Sequence, residues 1–560
     1  MLRPSSSSPP ALRASLARSS RATVGLALAL ALSGTLAACQ GCRAPDPRPV
    51  EAAQVERPTV RIVALSSVAG ALEPCGCSKD QLGGADHLAA WLAKEPVPPE
   101  ARLVVGAGPL FFLTPQLEAD KRAQDEWKAE ALAGFAKRVG LAAWAPGAND
   151  WAAGSEALAR YRQASGAALL AGNVSGIEGA VATLVREVGG VKVGLVGVAE
   201  PRDRLGKLPE GASVRAAKEA VTAGIDTVKK EGASVVVVLA SIQRGEAMRV
   251  LDEVQGVHVM VVGKPLEVGE QNDAPKAPTL VGKTVVVETS NHLQTAAVVD
   301  LYLQGAPGAS LELADAGGVS KAEEVLSLGA RIRELEARIN GWERGSKGVS
   351  ARDIEARRQD LEKLREQRAT LERADAAPVT GSYFRYQLVE VRDKLGSDDD
   401  TMAAMRAFYK RVNDHNRTAF QDRKPPPVPE GQAGYVGVAK CSECHAEERK
   451  VWDATPHSKA YVTLSKDFKE FNLECVSCHV TGYGKAGGST VAHNEPLRGV
   501  QCEECHGPGS LHAADPSKKG SIVVRPEPNS CVTACHHPPH VEGFEPATKM
   551  ELVLGPGHGR

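Results

Sequence analysis

From Thr59 to about Leu303 the chain alternates between two patterns of apolar and polar positions. "TVRIVALSSV", "RLVVGAG", "ALLAGNV", "VKVGLVGVA", "SVVVVLAS", "VHVMVVG" and "KTVVVETS" are short β-branched runs. Between several of them lie stretches with helical spacing, such as "DEWKAEALAGFAKRV" and "VRAAKEAVTAGIDTVKKEG". Strands alternating with helices predict an α/β domain with largely buried sheets over residues 59–310.

Beyond residue 320 the period changes. Val325, Leu328, Ile332, Leu335, Ile339 and Trp342 are spaced 3-4-3-4-3, a heptad seam. After "GSKGVS", Ile354, Leu361, Leu364 and Leu371 form a second seam laced with Arg and Glu. Residues 320–375 therefore read as an antiparallel helical hairpin or short coiled coil, a spacer or docking arm. Residues 376–424 read as a bridge, with "SYFRYQLVEV" a strand and Asp399–Asp422 an amphipathic helix. "RKPPPVPEGQAG" is a stiff linker,.

The first residues are an address rather than a fold. Arg3, Arg13, Arg18 and Arg21 precede the apolar stretch "TVGLALALALSGTLAAC", which is short for a membrane span and ends in small residues. This reads as a secretory signal over residues 1–38. "LAAC" looks like a bacterial lipobox with Cys39 as the lipidated residue, and residues 39–58 are a Pro-rich tether,. Removing residues 1–38 takes away four arginines and no acids, moving the formal charge from −1 to −5. The expected location is the periplasmic side of a bacterial membrane, the outer membrane first, or the cell surface, held by lipid. Near-balanced charge over 560 residues gives no reason to expect nucleic acid as a partner. Aromatic residues make up 4% of the chain, thin for a self-sufficient core of this size.

Twelve cysteines are unevenly spread, and eight of them crowd into Cys441–Cys535. "CSECH" places Cys441, Cys444 and His445; "CVSCH" places Cys475, Cys478 and His479; "CEECH" places Cys502, Cys505 and His506. "CVTACH", with one residue more between the thiols, places Cys531, Cys535 and His536. C-x-x-C-H is the attachment signature of c-type haem. Thiols at i and i+3 lie on one side of a helical turn and can form thioethers to two vinyl groups, while the following histidine serves as proximal iron ligand. Zinc needs four ligands per ion and has no use for a histidine next to the second cysteine every time. Disulfides suit an exported chain but leave the histidines unexplained. Four haems are expected, the fourth on the departing spacing. A segment poor in aliphatic residues would then take much of its core from the macrocycles.

Each iron has a second axial position, and the segment offers His457, His493, His512, His537, His540 and His558 for it,. "YVGVAKCSECHAEERKVWDATPHSKA", "CVSCHVTGYG", "GVQCEECHGPGSLH" and "CHHPPH" resemble the cytochrome c-552/4 type of tetrahaem cytochrome, over roughly residues 435–545. The resemblance implies a mainly α, haem-cored domain whose distal ligands fall on His457, His512 and His540. One iron, that of His479, is then left five-coordinate or served by His493. His512 lies six residues past His506, too near to reach over the same haem, so it is expected to ligate a neighbouring iron through the loop "GPGSLH".

The first domain resembles the metallophosphoesterase domain of secreted nucleotidases, which implies an α/β sandwich. Enzymes of that kind bind two metals and activate a bridging water. Here Asp-x-His is replaced by Ser67-Val68-Ala69, Gly-Asp by Gly108-Pro109, and Gly-Asn-His-Glu by Gly147-Ala148-Asn149-Asp150. A further histidine is Ser241, and Gly-His-x-His is Gly263-Lys264-Pro265-Leu266. The domain is therefore expected to be degenerate and non-hydrolytic. "EPCGC" leaves Cys75 and Cys77 as a possible redox or thiolate pair.

The whole chain reads as a multidomain electron-transfer protein rather than an enzyme. Its expected partners are redox proteins or quinol and oxidoreductase complexes, together with a membrane through the lipid anchor. Two alternatives stand beside it. One is a haem enzyme using an open iron for a small nitrogen or sulfur oxyspecies, the other a phosphoesterase with an appended cytochrome.

Overall fold

The valine-rich runs become strands buried on both faces. In the computed structural model, Val60–Ser66 pairs in parallel with Arg102–Ala107 and antiparallel with Thr295–Tyr302, Val63 facing Val104 on one side and Val298 on the other. The structure describes residues 57–74, 81–202, 206–265, 272–305, 311–343, 349–373, 379–537, 541, 544 and 546–555. The expected attachment and redox chemistry at Cys39, Cys75 and Cys77 lies outside them, as do His540, His558 and Leu266.

Two sheets make the α/β part. The larger runs in the order Ala314–Asp315, Tyr383–Glu390, Thr295–Tyr302, Val60–Ser66, Arg102–Ala107, Leu141–Ala145, Ala168–Leu170 and Ala180–Val181. The smaller runs Thr279–Val281, Thr284–Val287, Val259–Val262, Val235–Ala240, Val191–Val198 and Thr183–Val188. Alternation along each strand divides the apolar side chains between two layers. Val60, Ile62 and Ala64 join Val235, Val237, Leu239, Val259 and Val261 between the sheets. Val63 and Leu65 face outward under helices Ala85–Lys94 and Arg122–Arg138. Val236, Val238 and Val262 pack under helices Ala217–Lys230 and Arg244–Glu253. The result is a four-layer sandwich of helix, sheet, sheet and helix.

Scarce aromatic residues do not thin this core. Valine, alanine and leucine fill it, and the few rings are concentrated: Phe111 meets Trp144 at 5.6 Å and Tyr161 at 5.1 Å between centroids.

The region read as a bridge is part of the sandwich. Tyr383–Glu390 pairs antiparallel along all of Thr295–Tyr302, so the sheet closes across the inserted hairpin. Helix Asp399–Ala419 lays Met405, Phe408 and Val412 into the same core as helix Arg122–Arg138. Its start is capped by Asp398, which accepts the Thr401 N–H, and Arg138 binds the same carboxylate at 2.7 Å,. In the hairpin, helices Gly318–Glu343 and Ala351–Arg373 are antiparallel: Arg358 pairs with Glu343 and Arg365 with Glu336 at constant register. Ile332, Ile339 and Leu361 form the seam. Among the described residues no helix is long and apolar enough to cross a membrane.

After the proline linker, the C-terminal segment consists of short helices, mostly four to nine residues, around one small apolar cluster of Phe420, Tyr461, Val476, Val480 and Val491.

Candidate multihaem site

Each thiol pair sits on a single turn of helix. Cys444 N–H donates to the Cys441 carbonyl at 3.3 Å, and Cys478 N–H to that of Cys475 at 3.3 Å. Cys502 and Cys505 share helix Cys502–His506. These turns bring positions i and i+3 to one face. In the fourth motif Cys535 N–H donates to the Cys531 carbonyl at 3.2 Å, four residues back, so a full α-turn absorbs the extra residue. Thiols at i and i+4 also share a face. All eight of these cysteines are unbridged.

Thiols from different motifs meet. Interaction with the Cys441 thiol is the main reason that of Cys502 falls to about 7, while that of Cys441 rises. Cys478 is likewise lowered to about 6 by its bond with Cys535. The first and third motifs are thus neighbours, and so are the second and fourth.

Backbone carbonyls orient two of the motif histidines. His479 Nδ1–H donates to the Ala460 carbonyl at 2.6 Å, and His506 Nδ1–H to that of Val523 at 2.7 Å. A proton fixed on Nδ1 leaves Nε2 with its lone pair free, the form in which imidazole binds metals. His536 stacks on Phe544 at 4.0 Å.

Of the distal candidates, the His512 ring lies 6.3 Å from that of His445, at an interplanar angle of 30°. The His457 ring lies 6.2 Å from that of His536, and burial followed by the facing His536 lowers its proton affinity. His493 points elsewhere, with Nε2 at 2.5 Å from the Gln421 carbonyl just past helix Asp399–Ala419.

One residue that holds the segment together escapes a reading of the sequence. Glu503, between the thiols of the third motif, is 1% exposed. Its carboxylate accepts the N–H groups of Val436 at 2.9 Å, Gly437 at 2.7 Å and Gly509 at 2.8 Å. It thereby ties the third motif to the chain entering the first. The glycines of "GPGSLH" serve this arrangement: Gly507 ends helix Cys502–His506 at φ 78°, and Gly509 offers its N–H to Glu503,.

The positions corresponding to a dinuclear metal site lie at the ends of the central strands and are filled by backbone. Ser67 Oγ donates to the Lys264 carbonyl at 2.9 Å. The Gly108 and Gly263 backbones approach so closely that a Cβ on Gly263 would stand 1.9 Å from the Ala107 oxygen. Asn149 donates its amide to the Phe112 and Leu113 carbonyls. Asp150 accepts the Leu110 and Phe111 N–H groups at 2.8 Å each, and burial pushes its carboxyl up to about 6. Ser67, Ala69, His292 and Leu293 all have positive φ here, strained backbone of the kind found at functional sites,. Among the described residues no group of three or more His, Cys, Asp or Glu is arranged to hold a metal ion.

Thiol pairs on helical turns, each followed by a histidine, define a covalent haem-binding segment. Residues 440–507 match the family described as cytochrome c554 and c-prime, which implies covalently bound haem c. Cytochrome c-554 of Nitrosomonas europaea is 37% identical over 110 residues, covering 17% of this chain; the chain spans 46% of that relative's length. Solved structures similar to the chain include a 5'-nucleotidase precursor of Thermus thermophilus, at 14% identity, covering 63% of this chain and 59% of that one, with a TM-score of 0.41. A putative 5'-nucleotidase of Staphylococcus aureus, at 12% identity, covers 82% and 72% with a TM-score of 0.39. The C-terminal segment thus resembles c554-type cytochromes.

Proposed function

We propose that the protein is an exported, lipid-anchored multihaem cytochrome that passes electrons through four covalently attached haems. The spacing of the imidazole pairs carries this reading. With metal–imidazole bonds of about 2.0–2.1 Å and about 1.1 Å more to the ring centre, two histidines across one metal ion stand about 6.3 Å apart. His445 with His512, at 6.3 Å, and His457 with His536, at 6.2 Å, match that distance. His512 would then serve the iron of the first motif rather than its own, and the loop "GPGSLH" would staple two haems together.

The haem supplies one-electron chemistry between Fe(III) and Fe(II). The chain attaches and orients it. The Ala460 and Val523 carbonyls hold the proximal imidazoles of the second and third motifs in their ligating tautomer. The neighbouring thiols Cys441 with Cys502, and Cys478 with Cys535, favour close haem edges within each pair and hence short electron hops. Cys39 would carry the lipid, on the periplasmic side of the membrane, and the partners would be redox proteins or quinol-oxidising complexes.

A second reading rests on a shortage of ligands. With the His493 Nε2 engaged by Gln421, and His540 the one remaining histidine that the resemblance assigns as distal, one of the irons of His479 and His506 is left without an assigned distal histidine. That iron would be open to a small nitrogen or sulfur oxyspecies. Hydrolysis of phosphate esters is not expected, because Ser67, Ala69, Pro109 and Ser241 offer no ligands for two metals.

The deciding experiment is the intact mass of the purified protein together with a count of its CO-binding irons. Four haem increments are expected, and His512→Ala should keep all four while adding one CO-binding iron. A mass without haem would end the reading. An unchanged CO count would remove His512 from the ligand set.

A further inference from the structure

The chain between the first two motifs is held by the α/β part. Gln124, on helix Arg122–Arg138, donates to Asn472 Oδ1 at 3.2 Å and accepts the Leu473 N–H at 3.1 Å. Asn416, on helix Asp399–Ala419, donates to the Phe471 carbonyl at 2.9 Å, and Asn413 accepts the Phe471 N–H at 3.2 Å. Lys128 pairs with Glu474 at 2.6 Å. Gln124, Asn413, Asn416 and Asn472 are at most 2% exposed, so each broken bond strands a buried amide,. The stretch ends at Cys475, the first thiol of the second motif.

Beside this amide seam lies a charged group from the N-terminal part. Glu73 is ion-paired with Lys469 and accepts the Tyr409 hydroxyl at 3.0 Å. The Lys469 ammonium also lies 4.4 Å from the Tyr409 ring centre. Glu474, Lys469, Glu73 and Lys128 all act electrostatically on the Cys475 thiol, and Tyr409 and Cys475 are within range of each other. Three parts of the chain far apart in sequence therefore put the Glu73–Lys469 ion pair, next to that of Lys128 and Glu474, beside the stretch that ends at the first thiol of the motif.

We infer that Glu73, Tyr409 and Lys469 form a positioning latch through which the α/β part sets the orientation and redox potential of the haem attached at Cys475 and Cys478. The inference rests on the haem reading of that motif. A carboxylate near the macrocycle favours the oxidised iron, which carries one positive charge more, and the ammonium opposes it. Tyr409 holds the carboxylate in place, and the amide seam holds the thiol turn against it. In this way a domain without hydrolytic ligands acts on electron transfer.

The test uses the full-length, haem-loaded protein. Glu73→Gln should raise the midpoint potential of one haem in a potentiometric titration and leave the other three unmoved. Lys469→Met should lower the same potential, the double variant should return towards the parent, and Glu73→Asp should restore most of the parent value. Four unchanged potentials in both single variants, with haem mass and fold intact, would overturn the latch. Tyr409→Phe keeps the test decisive if a charge variant fails to fold: it removes only the hydroxyl and should change that one potential and the absorption spectrum of that haem. Missing haem at Cys475 in the parent protein is a separate result, and defeats the haem reading instead.

Discussion

The α/β part and the cytochrome segment reach order by opposite means. All of the largest fully buried side chains, from Ile62 to Phe384, belong to the sandwich. The cytochrome segment buries few aliphatic groups but many polar ones, including Asn472, Thr481, Ser489, Asn494, Gln501 and Glu503. In the first part, apolar area taken from water supports the fold at roughly 25 cal/mol per Å². In the second, hydrogen bonds shape the chain into a frame, and a frame gains little net stability from each such bond. On the proposed reading, the difference makes the haems structural: the segment with only one small apolar cluster is the one that carries the four attachment turns.

The largest expected effect removes that cofactor. With all eight motif cysteines changed to serine, residues 435–545 should become open to limited proteolysis while the sandwich resists, by analogy with metal-coupled folding. Resistance of both regions would break the comparison. A smaller effect is expected at Glu503. Glu503→Ala strands two buried N–H groups at about 1–3 kcal/mol each and a third, that of Val436, that is half-buried, so the cytochrome segment should melt several kcal/mol less stable,. Two calorimetric transitions, with only one lowered, would sharpen the contrast, whereas equal lowering of both would mean that the regions melt as one.

The smallest effect concerns a charge on the sandwich. Hydrogen bonds from the Arg138 guanidinium, followed by those from Thr401, hold Asp398 down to about 2. A depressed carboxyl stabilises the fold above its unfolded value of about 3.9 and loses that contribution as the pH falls through 2. Since Arg138 is half exposed, about 1 kcal/mol is expected. Asp398→Asn should lower the denaturation midpoint at pH 7, and the gap should close between about pH 4 and pH 2. A gap independent of pH would show that the helix cap, rather than the charge, is what Asp398 provides.

Much of the sandwich could be read from the sequence because its strands are covered on both faces, which makes valine runs unmistakable. Leu141–Ala145, "LAAWA", and Thr295–Tyr302, "TAAVVDLY", carry a weaker mark. Alanine has little strand preference, and Ala143 and Ala297 take their places in strands through burial between the sheets, which the sequence does not mark,. The attachment turns were legible because their chemistry is local. Glu503 was not, since an acid between two thiols looks solvated until N–H groups more than sixty residues away converge on it. Gln124 and Asn472, 348 residues apart, show the same limit.

The closure of the larger sheet across the hairpin also fixes an order of assembly. Chains are made, and their domains generally fold, from the N-terminus onward. Here the sandwich stays incomplete until Tyr383–Glu390 joins Thr295–Tyr302 and helix Asp399–Ala419 covers it. Only 21 residues separate the end of that helix from Cys441. The residues that hold the stretch before Cys475, from Gln124 to Asn416, therefore all precede the first motif thiol, Cys441, along the chain.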